Sequence, residues 1–376
     1  MPIEASYDEL IPTTEPDAVE GRLYYDATEK VLKYYNGMQW IEVGAVTGYS
    51  EFDNNGGGAW TKYINIPITS IPSEYAQYRI EIDSTNVTVY SADETQKTQG
   101  AVASDFWANV KSDGSDIRLF DQAKNQLYFW IESWDYSGAQ ATIWVNVPAG
   151  ASEVNVAYGN GNASQSDFEG GAQVFEFFDD FEDNDISDWE VGDNVGAVFD
   201  TKPSVENGYV RSTGEKQGMH KSISLQLDNY VLGLRIYFSG DEKYNYMWVG
   251  LINTPGSSAK YYAHLCTQSS PTHEGMQVRK DEFWELEALL ARDDTETFEG
   301  NTWHNVEFIH KADGSWAGKH NGNDVDFEYQ NTPDTSYNYF TSICLAFRLP
   351  DQRCDLIYVL KLADPADFDT PTIMSF

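Results

Sequence analysis

Apolar and polar residues alternate along most of this chain, in short runs bounded by Gly, Pro, Asn, Asp and Ser. From Trp60 the alternation passes through Tyr63, Ile64 and Ile66, then Tyr78, Ile80 and Ile82, then Val87 and Val89, and later through 127–131, 143–147 and 154–158. A further series follows at 230–238, 247–252, 261–265, 276–279, 305–310, 318–319, 324–329, 342–347 and 356–362. Period two marks half-buried strands, because successive side chains of a strand point to opposite faces of its sheet. The helical period hardly occurs. One stretch, 281–290, admits a helix, but its Trp284, Leu286 and Ala288 also fit period two. The pattern predicts an all-β protein.

Residues 20–43 carry two aromatic-rich runs with Asn36-Gly37 after the second. Asn-Gly is a strong hairpin signal, since both residues tolerate the positive φ of a type I′ turn. The expected unit is a β meander with strands at 22–25, 31–35 and 39–43, too small to bury a core alone. A glycine-rich break at 54–58 leads into a first β-sandwich, and a short linker at 166–175 leads into a second. The expected domains are 1–46, 47–168 and 169–376.

The length of 376 residues allows two or three domains. With 60 acidic against 24 basic residues the formal charge is −36, which excludes nucleic-acid binding as the main task, because phosphate needs a basic face. Aromatic residues make up 14% of the chain, too much core-forming material for disorder. The three cysteines, Cys266, Cys344 and Cys354, leave open either one bridge, for example Cys344 to Cys354, or free buried thiols. No run of 18 apolar residues occurs, so membrane insertion is not expected. The first residues lack the basic and apolar regions of a secretory leader. A chain built for an exterior without such a leader fits a virion protein, or a mature chain whose leader has been removed.

Three resemblances add to this reading. Gly21, Leu23, Tyr24, Tyr25 and Asp26, followed by Tyr34, Tyr35, Asn36, Gly37 and Trp40, resemble the hairpin repeats at the head of phage tail-fibre and virion adhesin proteins. Across about 58–165, Asp105-Phe106, Ser112-Asp113-Gly114, Trp130-Ile131-Glu132-Ser133, the strand 143–148 and Ala157-Tyr158-Gly159-Asn160 resemble an uncharacterised domain of archaeal and bacterial surface proteins. It departs from that pattern at Ala157, where the family has a Tyr. From about 176 to 364, the acidic opening 179–189, the strand 301–308, the Asp313-Gly314 turn and the ending 354–359 resemble the concanavalin-A-like, laminin-G-like jelly roll. The fold expected is therefore an N-terminal meander and two β-sandwich domains, the second a concanavalin-A-like jelly roll.

Candidate chemistry is sparse. Carboxylates cluster at 179–188, but the Glu-x-Asp-x-x-Glu strand of glycosidases on this jelly roll is absent. The jelly-roll resemblance implies one Ca²⁺ held by an acidic group near the first strand and an Asp on the last, here Asp180 and Asp355. The six histidines show no metal spacing, and G-x-S-x-G and phosphate-binding glycine motifs are missing. Glu132, inside an apolar strand, needs a partner, with Lys111 or Arg118 expected. Aromatic residues offer stacking surfaces for sugar rings. Trp134 and Tyr136 fall at a turn of the first sandwich, and Tyr246, Trp248 and Tyr262, with Tyr244 and Tyr261, lie on consecutive strands of the second. Core packing is the alternative at each. The expectation is a non-enzymatic exterior virion protein (tail fibre, spike or capsid decoration) that binds host-surface glycan and is a homo-oligomer or docked on a particle. A fibre-borne or secreted depolymerase and a structural spacer stay open as alternatives.

Overall fold

The computed structural model describes residues 60–91, 97–101, 103–192, 199–240, 245–253, 260–266, 275–280, 289–293, 296–331, 333–362, 368 and 370–375, and the backbone of three short N-terminal strands. Those are β1 (Leu23–Asp26), β2 (Val31–Tyr35) and β3 (Trp40–Glu42), paired antiparallel in that order. They form the expected meander.

The first sandwich contains β4 (Lys62–Pro67), β5 (Ala76–Ile82), β6 (Val87–Ser91), β7 (Lys97–Gly100), the helix α1 (Ala103–Asn109), β8 (Arg118–Phe120), β9 (Phe129–Asp135), β10 (Gln140–Val147) and β11 (Glu153–Tyr158). One sheet has the order β7-β6-β5-β10-β9 and the other places β11 between β4 and β8. Alternation fixes the faces. Ile143, Val145 and Val147 of β10 join Tyr78, Ile80 and Ile82 of β5 and Val154 and Val156 of β11 in one buried core. Trp144 points out of that core and is nevertheless buried.

The second sandwich contains β12 (Phe177–Asp179), β13 (Glu190–Val191), β14 (Ser204–Glu206), β15 (Tyr209–Arg211), β16 (Gln217–Gln226), β17 (Tyr230–Tyr237), β18 (Tyr246–Ile252), β19 (Lys260–Cys266), β20 (Gly275–Lys280), β21 (Leu289–Asp293), β22 (Trp303–His310), β23 (Trp316–His320), β24 (Asn323–Val325), β25 (Tyr329–Gln330), β26 (Tyr339–Phe347) and β27 (Arg353–Lys361). Its sheets run β14-β15-β27-β17-β22-β23-β24, with β12 also on β27, and β13-β16-β26-β18-β19-β20-β21-β25. Leu232, Leu234, Ile357 and Val359 of the first sheet meet Val249, Leu265, Val278 and Leu345 of the second in the core. This is the expected layout of two packed antiparallel sheets. The helix admitted at 281–290 falls partly outside the described residues, but 289 and 290 are strand.

The apolar run of β27 is explained by burial on both faces. Ile357 and Val359 enter the core, while Leu356, Tyr358 and Leu360 pack with Val231 and Ile309 of the same sandwich and with Trp144 of the first in a separate cluster. Val174 and Phe175, expected as linker, are buried in that same cluster. The junction is a packed layer rather than a solvated tether.

One further strand, β28 (Thr372–Ser375), lies beyond the second sandwich in sequence but pairs antiparallel with β4, Ile373 opposite Ile64. The ring of Phe368 also stands edge-on to Tyr78 at 4.9 Å. These residues, expected with the jelly roll in 169–376, thus complete a sheet of the first sandwich. Cys266, Cys344 and Cys354 are buried and form no disulfide with one another. Among the described residues no helix is long and apolar enough to cross a membrane.

Candidate functional site

The helix α1 is the element that sequence periodicity did not announce. Its Phe106 fills the core, which leaves Trp107 on the outer side, half-buried. There it meets Trp134, from the end of β9, at 5.3 Å between ring centroids, and Tyr136, from the β9–β10 turn, at 6.1 Å. The indole N–H of Trp107 donates to the Asp83 carbonyl at 2.7 Å, and that of Trp134 to the Ser112 carbonyl at 2.9 Å. Both rings are therefore fixed before any ligand arrives. Trp134 also lies against Gly114 in a left-handed turn, where an added Cβ would come within 3.1 Å of the indole. Tyr136 is 43% exposed. Asp113 and Asp135 flank the cluster, and hydrogen bonds from Ser115 to the former and from Gly138 and Ser137 to the latter hold both carboxyls below the usual range. Trp134 and Tyr136 thus each meet Trp107, a residue outside the expected set. The sequence signal for Trp107 was only an aromatic residue next to Phe106, with nothing to say which of the two faced out.

The second group is differently placed. In β18, Met247, Val249 and Leu251 enter the core, so Tyr246 and Trp248 face the other side. There they stack on each other at 5.5 Å, with Phe199 edge-on to Trp248 at 4.3 Å. Both are buried, 6% and 8% exposed, among Phe199, Cys266 and Ala346. Tyr262 stands opposite Gly250 and Arg279 in register, and its side chain lies outside the described residues, as does Tyr244. Tyr261 is core, with its hydroxyl on Asp334. Register also aligns Trp248, His264, Gln277 and Arg292 across four adjacent strands.

Asp355, one of the two residues expected to hold calcium, is paired with a cation of the protein itself. The Arg235 guanidinium grips both oxygens of Asp355, at 2.7 and 2.9 Å through Nε and 2.7 Å through Nη2. A divalent cation would have to displace a charge already in place, so this donor set does not fit Ca²⁺. Burial raises the Asp355 carboxyl above its ordinary range despite that partner. Asp180 takes the Glu182 amide at 3.3 Å. Its neighbours cap successive turns, Asp183 accepting from Asp185 N and Asp185 from Ser187 N, while Lys221 bridges Asp179 and Asp188. Among the described residues no group of three or more potential ligands is arranged for a metal ion.

Glu132 is satisfied by neither expected partner. Lys111 donates to the Ala163 carbonyl, and Arg118 to the carbonyls of Ser115, Ile117 and Ser164. Glu132 instead accepts the Trp144 indole N–H at 2.8 Å. Burial raises its carboxyl above the usual range, against the pull of that bond and of the Arg79 and Arg235 charges.

The chain is similar in structure to the carbohydrate recognition domain of Emp46p in its potassium-bound form, at 9% identity, covering 48% of this chain and 91% of that one, with a TM-score of 0.36. It is also similar to the carbohydrate-binding module CBM66 from Bacillus subtilis, at 12% identity, 50% and 96% coverage and a TM-score of 0.30. A third is domain 4 of AbnA, an extracellular arabinanase from Geobacillus stearothermophilus, in complex with arabinotriose, at 13% identity, 50% and 93% coverage and a TM-score of 0.36. No curated protein matches the chain. Residues 113–192, from the Asp113 turn across the junction into the second sandwich, match the family described as Domain of unknown function (DUF2341).

Proposed function

We propose that this is a non-enzymatic exterior protein that binds host-surface glycan through the surface formed by Trp107, Trp134 and Tyr136. The observation that carries the reading is the fixing of both indoles by hydrogen bonds to backbone carbonyls beside an exposed tyrosine. Rings held in place lose little freedom on binding, which favours stacking of a sugar face. The ionised Asp113 and Asp135 supply acceptors for hydroxyls at its rim. The buried Tyr246 and Trp248 contribute less, because their rings are already packed.

In this reading the protein sits on a virion surface, as a homo-oligomer or docked on the particle. The support is the antiparallel β1–β2–β3 unit, which has the hairpin pairing of the tail-fibre-like segment.

A glycan array probed with the full chain and with Trp107→Ala and Tyr136→Ala, alongside a reducing-sugar assay on the bound polysaccharide, tests the proposal. Binding that both substitutions abolish, without release of reducing ends, is expected. Release of reducing ends would establish a depolymerase instead, and binding indifferent to both substitutions would remove the aromatic surface from consideration.

A further inference from the structure

The two sandwiches leave a gap beside their contact, a cleft of about 230 Å³ between the outer faces of β9–β10 and of β22–β23. At roughly 30 Å³ per water this is the space of seven or eight waters, which suits one sugar ring and not a chain of them. Arg79 and Glu132 line it from the first sandwich, and Asn305, Glu307 and Lys319 from the second. The two carboxylates are oriented in matching ways. The Trp144 indole N–H donates to Glu132 Oε2 at 2.8 Å, and the Tyr358 hydroxyl donates to Glu307 Oε1 at 2.6 Å. Each carboxylate therefore has one oxygen engaged by an aromatic donor of its own sandwich. Arg79 reaches Glu81, also in the wall, at 3.1 Å, and the Lys319 side chain is almost wholly buried.

The cleft thus sets acceptors and cationic donors side by side in near balance. A phosphate or another anion would face three carboxylates, and a polyamine would face Arg79 and Lys319. A neutral polyol avoids both conflicts, because every hydroxyl both donates and accepts.

We propose that this cleft is a binding site for a single neutral sugar unit, held between Glu132 of the first sandwich and Glu307 of the second. It shares no residue with the aromatic surface of Trp107, Trp134 and Tyr136, and it stands whether or not that surface binds glycan. A ligand held by both sandwiches also favours their docked arrangement by mass action.

The test is titration of the full chain with neutral methyl glycosides of glucose, galactose, mannose, xylose and arabinose, followed by tryptophan fluorescence and thermal shift. Trp144 lies in the cleft wall and reports occupancy. At least one glycoside should saturate. Glu307→Gln and Glu132→Gln, which preserve shape, should each weaken binding by about tenfold or more. Asn305→Ala, at an exposed position on the rim, should weaken it without altering the fold. Failure of every glycoside to saturate overturns the proposal. So does saturation that all three variants leave unchanged, since the ligand then sits elsewhere. Binding of inorganic phosphate or putrescine, to the exclusion of the neutral glycosides, would show that the cleft selects charge and would also overturn it.

Discussion

The rings of Trp144 and Tyr358, one from each sandwich, lie with centroids 6.0 Å apart and planes at 53°. Phe175 from the segment between the domains touches both, at 5.4 and 4.8 Å. Three aromatic side chains, each burying a large apolar area, thus join the domains. Glu74 and Lys361 add an ion pair from one sandwich to the other. Domain contacts of this aromatic kind couple unfolding.

The wild-type chain should therefore unfold with its two sandwiches in one transition. Trp144→Ala should cost about 3–5 kcal/mol, the usual range for emptying a large aromatic site, and should separate the transition into two. Denaturant unfolding followed by circular dichroism and by tryptophan fluorescence checks this. Coincident curves in the variant would show that the aromatic contact does not carry the coupling.

Gly233 stands opposite Tyr358 in the β17–β27 register, and the ring occupies the space a side chain would need. An added Cβ would lie 2.0 Å from the Tyr358 ring. Gly233→Ala should therefore displace the ring from the interface and destabilise by roughly 1–3 kcal/mol, as overpacking does. Tyr358→Phe keeps the ring and loses only the hydroxyl's bond to the Glu307 carboxylate, at a cost of about 1.5–3 kcal/mol. If the alanine variant is as stable as wild type, the ring has room that this geometry denies it.

Asp334 should give the second sandwich an acid-sensitive component. Burial opposes its ionisation, but the Lys280 ammonium, the Tyr261 hydroxyl and the Ser336 amide outweigh that and hold its carboxyl at about 2. The folded value is depressed below the unfolded one near 3.9, so the stabilisation is fully present above that value and is lost as pH falls toward 2. Discounted for solvent screening of this partly exposed pair, it amounts to about 1 kcal/mol. Unfolding free energies between pH 6 and pH 2 should fall less steeply in Asp334→Asn, whose stability at neutral pH is already reduced. Identical pH slopes would contradict this.

Deleting residues 369–376 removes β28 and leaves β4 at the edge of its sheet. Exposed edges offer unpaired backbone groups to other chains. The truncated chain should lose hydrogen-exchange protection at residues 62–65 and self-associate more readily, measurable by exchange mass spectrometry and sedimentation. Retained protection there would mean that β11 alone secures β4.

Calcium should not alter stability through Asp355, because Arg235 already occupies its carboxylate. Thermal midpoints in millimolar calcium and in a chelator should coincide. A midpoint raised by calcium and lost in Asp180→Asn would restore the ion to this site.

Local alternation was enough to place β2, β17, β18, β22 and β26, because a strand's geometry sends neighbouring side chains to opposite faces whatever lies beyond. The Asn36-Gly37 signal likewise marked the meander, and the scarcity of helical period marked an all-β chain. What each outward face meets was not legible. Trp144 alternates correctly out of its own core, but only the docking of β27 buries it. Glu132 finds its acceptor role through Trp144 on the neighbouring strand, a partner that cross-strand register selects. Trp107 and Trp134 are 27 positions apart in sequence and become neighbours because α1 packs Phe106 inward. The four residues of β28 carry too little pattern to name a partner. Their place beside β4 follows from long-range backbone pairing, which depends on the shape of both finished sandwiches rather than on any sequence within the strand.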